Sequence, residues 1–206
     1  MGKIDRKSIK VLWVSLVKFP PLCEHLGETI PAHCGWMYSS AKALLRMMPE
    51  VRLGVMVYSY GRSYERYEID GVTYYLIPTG RIDRTSKKQI ETCRRAIRDF
   101  APDLMHIHGT EHSLAKAACV ANENGTRMVA NIQGLAGPYM RYADGGLSLW
   151  NKGTNITPLD FYRGTFLLNA KRNFKHRAEC ENYVLTYITD IVGRTQWDCD
   201  LSLIHI

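Results

Sequence analysis

Apolar and polar positions along this chain switch repeatedly between a strand-like and a helix-like period. Ile9 to Val17 is a nearly continuous apolar run, the pattern of a strand buried on both faces. From Trp36 to Met48 the residues Met37, Ala41, Leu44, Leu45 and Met48 fall on one helical stripe, and Pro49 ends it. Val51 to Ser59 and Val72 to Ile77 read as strands. Asp70-Gly71 is a turn before the second, and Glu65 to Ile69 can pair with it as a hairpin. Ser86 with Gln89 carries the capping-box signature, followed by Ile90, Cys93, Ile97 and Phe100 on one face and by Pro102 as a stop. Leu104 to Ile107 is a short buried strand. Leu114, Ala117, Ala118 and Ala121 mark a helix that stops near Gly125, and Arg127 to Ile132 is another strand. Gly134 to Pro158 has no clear period and reads as a long functional loop. A basic, partly helical stretch follows from Leu159 to Leu185, and Ile188 to Val192 is the last strand.

This alternation requires crossover connections. It predicts an α/β fold with a Rossmann-like, mostly parallel sheet and helices on both faces. Ligands of such open sheets bind beyond the carboxyl ends of the strands. The segments to inspect are therefore Lys18 to Trp36, His108 to His112, Gln133 to Gly137 and Gly193 to Trp197.

With 206 residues, 46% of them apolar, and a net charge of +7, the chain suits a globular domain and excludes disorder and collagen. The apolar run Val11 to Val17 lies between Lys10 and Lys18, too short to span a bilayer. Pro20-Pro21 stands where a secretory cleavage site would be, so a cytoplasmic protein is expected. Cys23, Cys34, Cys93, Cys119, Cys180 and Cys199 include no CxxC pair. They read as small buried hydrophobes, with a disulfide framework as the alternative. Two basic regions stand out: Arg81, Arg84, Lys87, Lys88, Arg94, Arg95 and Arg98, then Arg163, Lys171, Arg172, Lys175 and Arg177. Solvated helix faces explain each. The excess charge still favours phosphates or an acidic membrane surface as partners, and no nucleic-acid motif accompanies it.

GxGxxG, the P-loop, HExxH and GxSxG are all absent, and no cofactor is read from the chain. The polar stretch from Asp103 to His112 ends a strand. His106 and His108 share one face there, because side chains alternate. They could form a metal pair with Glu111 and His112 nearby, but no full ligand set at metal spacing is present and no metal site is assigned. Alternatively they are a core and a rim histidine, or His108 lines a polar cleft beside Gly109, where a ligand can approach the backbone. In that register His106 sits deeper and serves packing. Gly35-Trp36 opens a helix after a long loop, where backbone N–H groups attract anions.

Several segments in this order resemble the N-terminal half of a GT-B glycosyltransferase of the large retaining group called family four. They are Lys10 to Ser15, Gly35-Trp36, Pro102 to Glu111, Asn131 to Leu135, Arg177-Ala-Glu179 with Glu181, and Val192 to Asp198. HxHGTE and GRTxWD are the most specific parts. The resemblance implies an acceptor-side Rossmann-like domain over about residues 1–200, facing a second domain that binds a nucleotide-sugar donor. It implies catalytic His108 and Glu111 near the transferred sugar. It places Gly109 beside them, Gln133 and Gly134 on the cleft floor, Arg194 and Thr195 at a rim serving the leaving diphosphate, and Gly35 and Trp36 at the first loop. There Cys34-Gly35 replaces the family's usual Gly-Gly. The acceptor would be a glycan or a lipid-linked sugar, as in bacterial polysaccharide synthesis, with peripheral contact at the inner face of the membrane.

No donor-side Glu pair separated by seven residues follows the GRTQWD segment. The ending Leu201 to Ile206 is what a transposon-type sequencing adapter encodes, so residues 201–206 are expected to be a non-native tail on a truncated chain, inactive alone. Two rivals stay open: a non-catalytic Rossmann-like binding module, and a metal-dependent hydrolase built on His106, His108 and His112.

Overall fold

The computed structural model describes residues 8–80, 84–132, 134–142, 145–148, 150–151, 157–163 and 167–193. Seven strands form one sheet in the order β3-β4-β2-β1-β5-β6-β7. They are β1 (Ile9–Ser15), β2 (Val51–Ser59), β3 (Glu65–Ile69), β4 (Val72–Pro78), β5 (Leu104–His108), β6 (Arg127–Asn131) and β7 (Asp190–Val192). Every pairing is parallel except that of β3 with β4. That hairpin turns through Asp70 at φ 50° and Gly71 at φ 74°. Both angles are positive, as a two-residue turn matching the strand twist requires.

Helices cover both faces, as the alternating pattern predicts. They are α1 (Pro20–Leu26), α2 (Gly35–Met47), α3 (Lys87–Phe100), α4 (Ser113–Ala121), α5 (Ala136–Tyr142), α6 (Pro158–Arg163) and α7 (Leu167–Tyr187). On one face Leu12, Val14, Met56, Met105 and Ile107 pack against Cys93 and Ile97 of α3, Ala117 and Ala118 of α4, and Val184 of α7. On the other, Val11, Trp13, Val55 and Val57 pack against Leu22 of α1 and Met37 and Ala41 of α2.

Five local expectations are corrected. The segment before Gly35, read as a long loop, holds α1, which opens on Pro20-Pro21. Met48 leaves the α2 stripe: it is the C-cap, at φ −131°, and 38% exposed. The capping box at α3 is half-formed. Ser86 Oγ accepts from the Gln89 N–H at 3.1 Å, but the Gln89 amide turns into the core and donates to Thr79 Oγ1 at 3.1 Å and Ser113 Oγ at 3.3 Å. The stretch from Gly134 to Pro158 holds α5, which a buried carboxylate from α7 secures (below). His106 is the less buried of the strand pair, because α1 and α2 lie on the β1 side and His108 is the one roofed by tryptophans.

Cys23, Cys34, Cys93, Cys119 and Cys180 are buried thiols outside any disulfide, and Cys199 lies outside the described residues. Burial pushes Cys119 up to about 12, as for an inert core residue. No helix among the described residues is long and apolar enough to cross a membrane.

Candidate functional site

The site forms where β5 and β6 end and α4, α5 and α7 begin or cross. His106 and His108 share a face of β5, their rings 4.0 Å apart. The Trp13 ring lies 4.5 Å from His108, and the half-exposed Trp36 at the start of α2 lies 6.3 Å away. Burial lowers His106 to about 4, and burial with the neighbouring His106 lowers His108 to about 3. Both imidazoles are therefore neutral at pH 7.

After β5 the chain turns at Gly109, with φ 90°. A Cβ there would strain the backbone and meet Glu111 Oε2 at 3.3 Å and His112 Cδ2 at 3.4 Å. The tight turn brings Glu111 back over the strand end, its Oε1 2.8 Å from His112 Nε2. Burial alone would raise the Glu111 carboxyl. The close approach of His112, with a smaller contribution from Arg177, outweighs it and holds the group below its ordinary value. Glu111 is thus an acceptor-only carboxylate at neutral pH.

Glu111 lines a cleft of about 320 Å³ with Gly134, Ala136, Tyr139, Phe174 and Arg177. The Arg177 guanidinium lies over the Phe174 ring at 5.8 Å, and Tyr139 stands 6.5 Å from the same ring. Glu181, one turn further along α7, is 1% exposed. Its two oxygens accept from Ala136 N–H at 2.8 Å and Gly137 N–H at 3.0 Å, fixing the first turn of α5. Burial raises Glu181 to about 7 against those two bonds, with Glu111 adding to the rise.

Among the described residues, buried polar atoms without a hydrogen-bond partner concentrate at this strand end. They include His106 Nε2, both ring nitrogens of His108, Thr110 Oγ1, Glu111 Oε2, Asn131 Oδ1 and Arg177 Nε. Such atoms are uncommon in folded proteins and call for a ligand or solvent.

Of the residues singled out in the sequence, Glu111 and Gly134 line the cleft. Gly109 adjoins Glu111 but, with His108, lines a separate small cavity at the end of β5. Gly35 and Trp36 stand on the far side of His108, at the start of α2. Gln133, Arg194, Thr195 and the tail 201–206 lie outside the described residues. Among the described residues no three His, Cys, Asp or Glu side chains converge as metal ligands, so the hydrolase alternative has no ligand set there. Arg177, Tyr139 and Glu181 carry roles that periodicity does not reveal. The visible signal was the spacing of Phe174, Arg177 and Glu181, which puts them on one side of a helix.

No family model matches the chain, and no curated protein does either. Among solved structures, it is similar to Medicago truncatula UGT71G1 complexed with UDP-glucose, at 10% identity and a TM-score of 0.47. That likeness covers 99% of this chain and 49% of the other. A second is trehalose-6-phosphate synthase, studied for glycosyltransfer with retention, at 10% identity and a TM-score of 0.43. It covers 94% of this chain and 41% of the other, so the chain spans less than half the length of both.

Proposed function

We propose that this chain is the acceptor-side domain of a retaining GT-B glycosyltransferase, which passes sugar from a nucleotide-sugar to a glycan or lipid-linked acceptor in bacterial polysaccharide synthesis. The observation that carries the reading is the set of partnerless buried polar atoms at the ends of β5 and β6, beside a cleft that pairs Glu111 with Arg177. A sugar offers hydroxyls that donate and accept at once. The Glu111 carboxylate can take a hydroxyl proton in a hydrogen bond, and the Arg177 guanidinium can give one to a hydroxyl or ring oxygen. The HxHGTE segment that resembles the family supplies Gly109 and Glu111 to this place. His108, neutral at pH 7, supports the floor beneath them. The retaining course, the donor site on a further domain, the diphosphate roles of Arg194 and Thr195 and the floor role of Gln133 rest on the resemblance. Peripheral membrane contact is supported by the net charge of +7 and by Trp150 and Tyr162, which are exposed.

The test is binding to the 206-residue chain. Oligosaccharide acceptors should shift the NMR signals of Gly109, Gly134 and the Arg177 side chain, and Glu111→Gln should weaken binding about tenfold or more. Transfer from nucleotide-sugars by this chain alone should stay at background. Acceptors that leave those signals unmoved would overturn the site, and a turnover above background would overturn the assignment of the donor site to another domain.

A further inference from the structure

A second cleft lies on the other side of α7. Phe174, Arg177 and Glu181 turn toward the site above, whereas His176 and Glu179 line a cavity of about 420 Å³ with Arg84, Lys87 and Lys116. Its charge is one-sided. Arg84 comes from the segment before α3, Lys87 from the first turn of α3 and Lys116 from α4, so three elements each bring a cation. Among the described residues Glu179 is the one carboxylate lining it, and it is engaged with a histidine: His176 Nδ1 lies 3.2 Å from Glu179 Oε2.

Two of the cations are held in place by their own contacts. Arg84 Nη2 lies 3.1 Å from His176 Nε2. Arginine can only donate, so Nε2 accepts and Nδ1 carries the proton given to Glu179. The carboxylate orients the imidazole, and the imidazole holds one arm of the guanidinium. Lys116 Nζ sits 5.0 Å over the Tyr183 ring, which fixes a cation without consuming its hydrogen bonds. The first turn of α3 carries no acidic residue and opens with Lys87 and Lys88, the charge sign that the helix dipole disfavours at that end.

We infer that this cleft is a second ligand site, separate from the Glu111–Arg177 cleft, that binds a phosphate-type oxyanion. A phosphate group has three acceptor oxygens to share among Arg84, Lys87 and Lys116, and the cavity has room for the molecule that carries it. The same chemistry is presented by a soluble phosphorylated compound and by a phospholipid headgroup. The inference stands without the proposed transferase reading, because none of its residues lines that site.

Calorimetric titration of the whole chain with inorganic phosphate and pyrophosphate, beside flotation with phosphatidylcholine vesicles with and without phosphatidylglycerol, tests it. Binding is expected in at least one arm, weakening with added salt, and reduced about tenfold or more in Arg84→Gln and in Lys116→Gln. Lys42→Gln, on α2 across the sheet, should bind as the wild type does. Circular dichroism of each variant separates a lost site from a lost fold. Pyrophosphate binding without vesicle binding identifies a soluble ligand, and vesicle binding alone identifies the headgroup. No binding in any arm, or binding that survives both substitutions in folded protein, would overturn the inference.

Discussion

Single side chains make the stability of this protein respond to pH in two opposing ways. His106 and His108 are held at about 4 and about 3, below the 6.5 of an ordinary imidazole. The folded state therefore binds fewer protons than the unfolded chain. Their contribution is complete above about pH 6.5 and is lost as the pH falls toward those lowered values. Urea titrations should show stability falling from pH 6.5 to pH 4, by several kcal/mol for the pair, and a shallower fall in His108→Asn. Equal slopes would contradict the burial of a neutral ring. Glu181 acts in the opposite sense. Its carboxyl is raised from 4.5 to about 7, so its contribution is present below 4.5 and is lost as the pH rises through 7. Glutamine keeps the size and one accepting oxygen but has no charge to bury. Between about pH 5 and pH 8, Glu181→Gln should gain on the wild type by roughly 2–3 kcal/mol, read from the same titrations. A constant difference between the two proteins would show that the two α5 amides fully compensate the buried charge.

Packing is tight where α3 crosses β2. A Cβ on Gly54 would stand 2.9 Å from Leu12 Cδ1 and 2.9 Å from the Phe100 ring. Gly54→Ala should cost about 1–3 kcal/mol through overpacking, measured as a lower denaturation midpoint with an unchanged slope. This scale also shows what the amino-acid pattern made legible. The strands and the helices α2, α3 and α4 followed from two apolar periods, and the hairpin from Asp70-Gly71, whereas α7 was legible only as part of a basic, partly helical stretch. The helix α5 did not, because Ala136 to Tyr142 has no apolar stripe and its first turn is held by Glu181, forty-five residues after Ala136. The Gln89 amide was likewise unreadable, since its partners Thr79 and Ser113 come from other elements. Of the candidate site, Gly109 and Glu111 were visible in one local segment. Arg177 reaches the same cleft only through the crossing of α7, a tertiary relation that no local spacing encodes.

At the scale of the molecule, one sheet carries two clefts on either side of α7, one with a carboxylate–guanidinium pair and one with three cations. The central claim is that the first is where sugar is handled. The most direct measurement is the turnover of this chain joined to the donor-binding domain that the proposal requires, assayed with a panel of nucleotide-sugars and glycan acceptors. Glu111→Gln should lower kcat/KM by about 10²-fold or more with its melting temperature unchanged, as expected when a hydrogen bond to the reacting sugar is lost. Arg177→Met should raise KM for the acceptor. Near-normal kcat/KM in Glu111→Gln, or no transfer by the unmutated enzyme with any donor, would contradict the account.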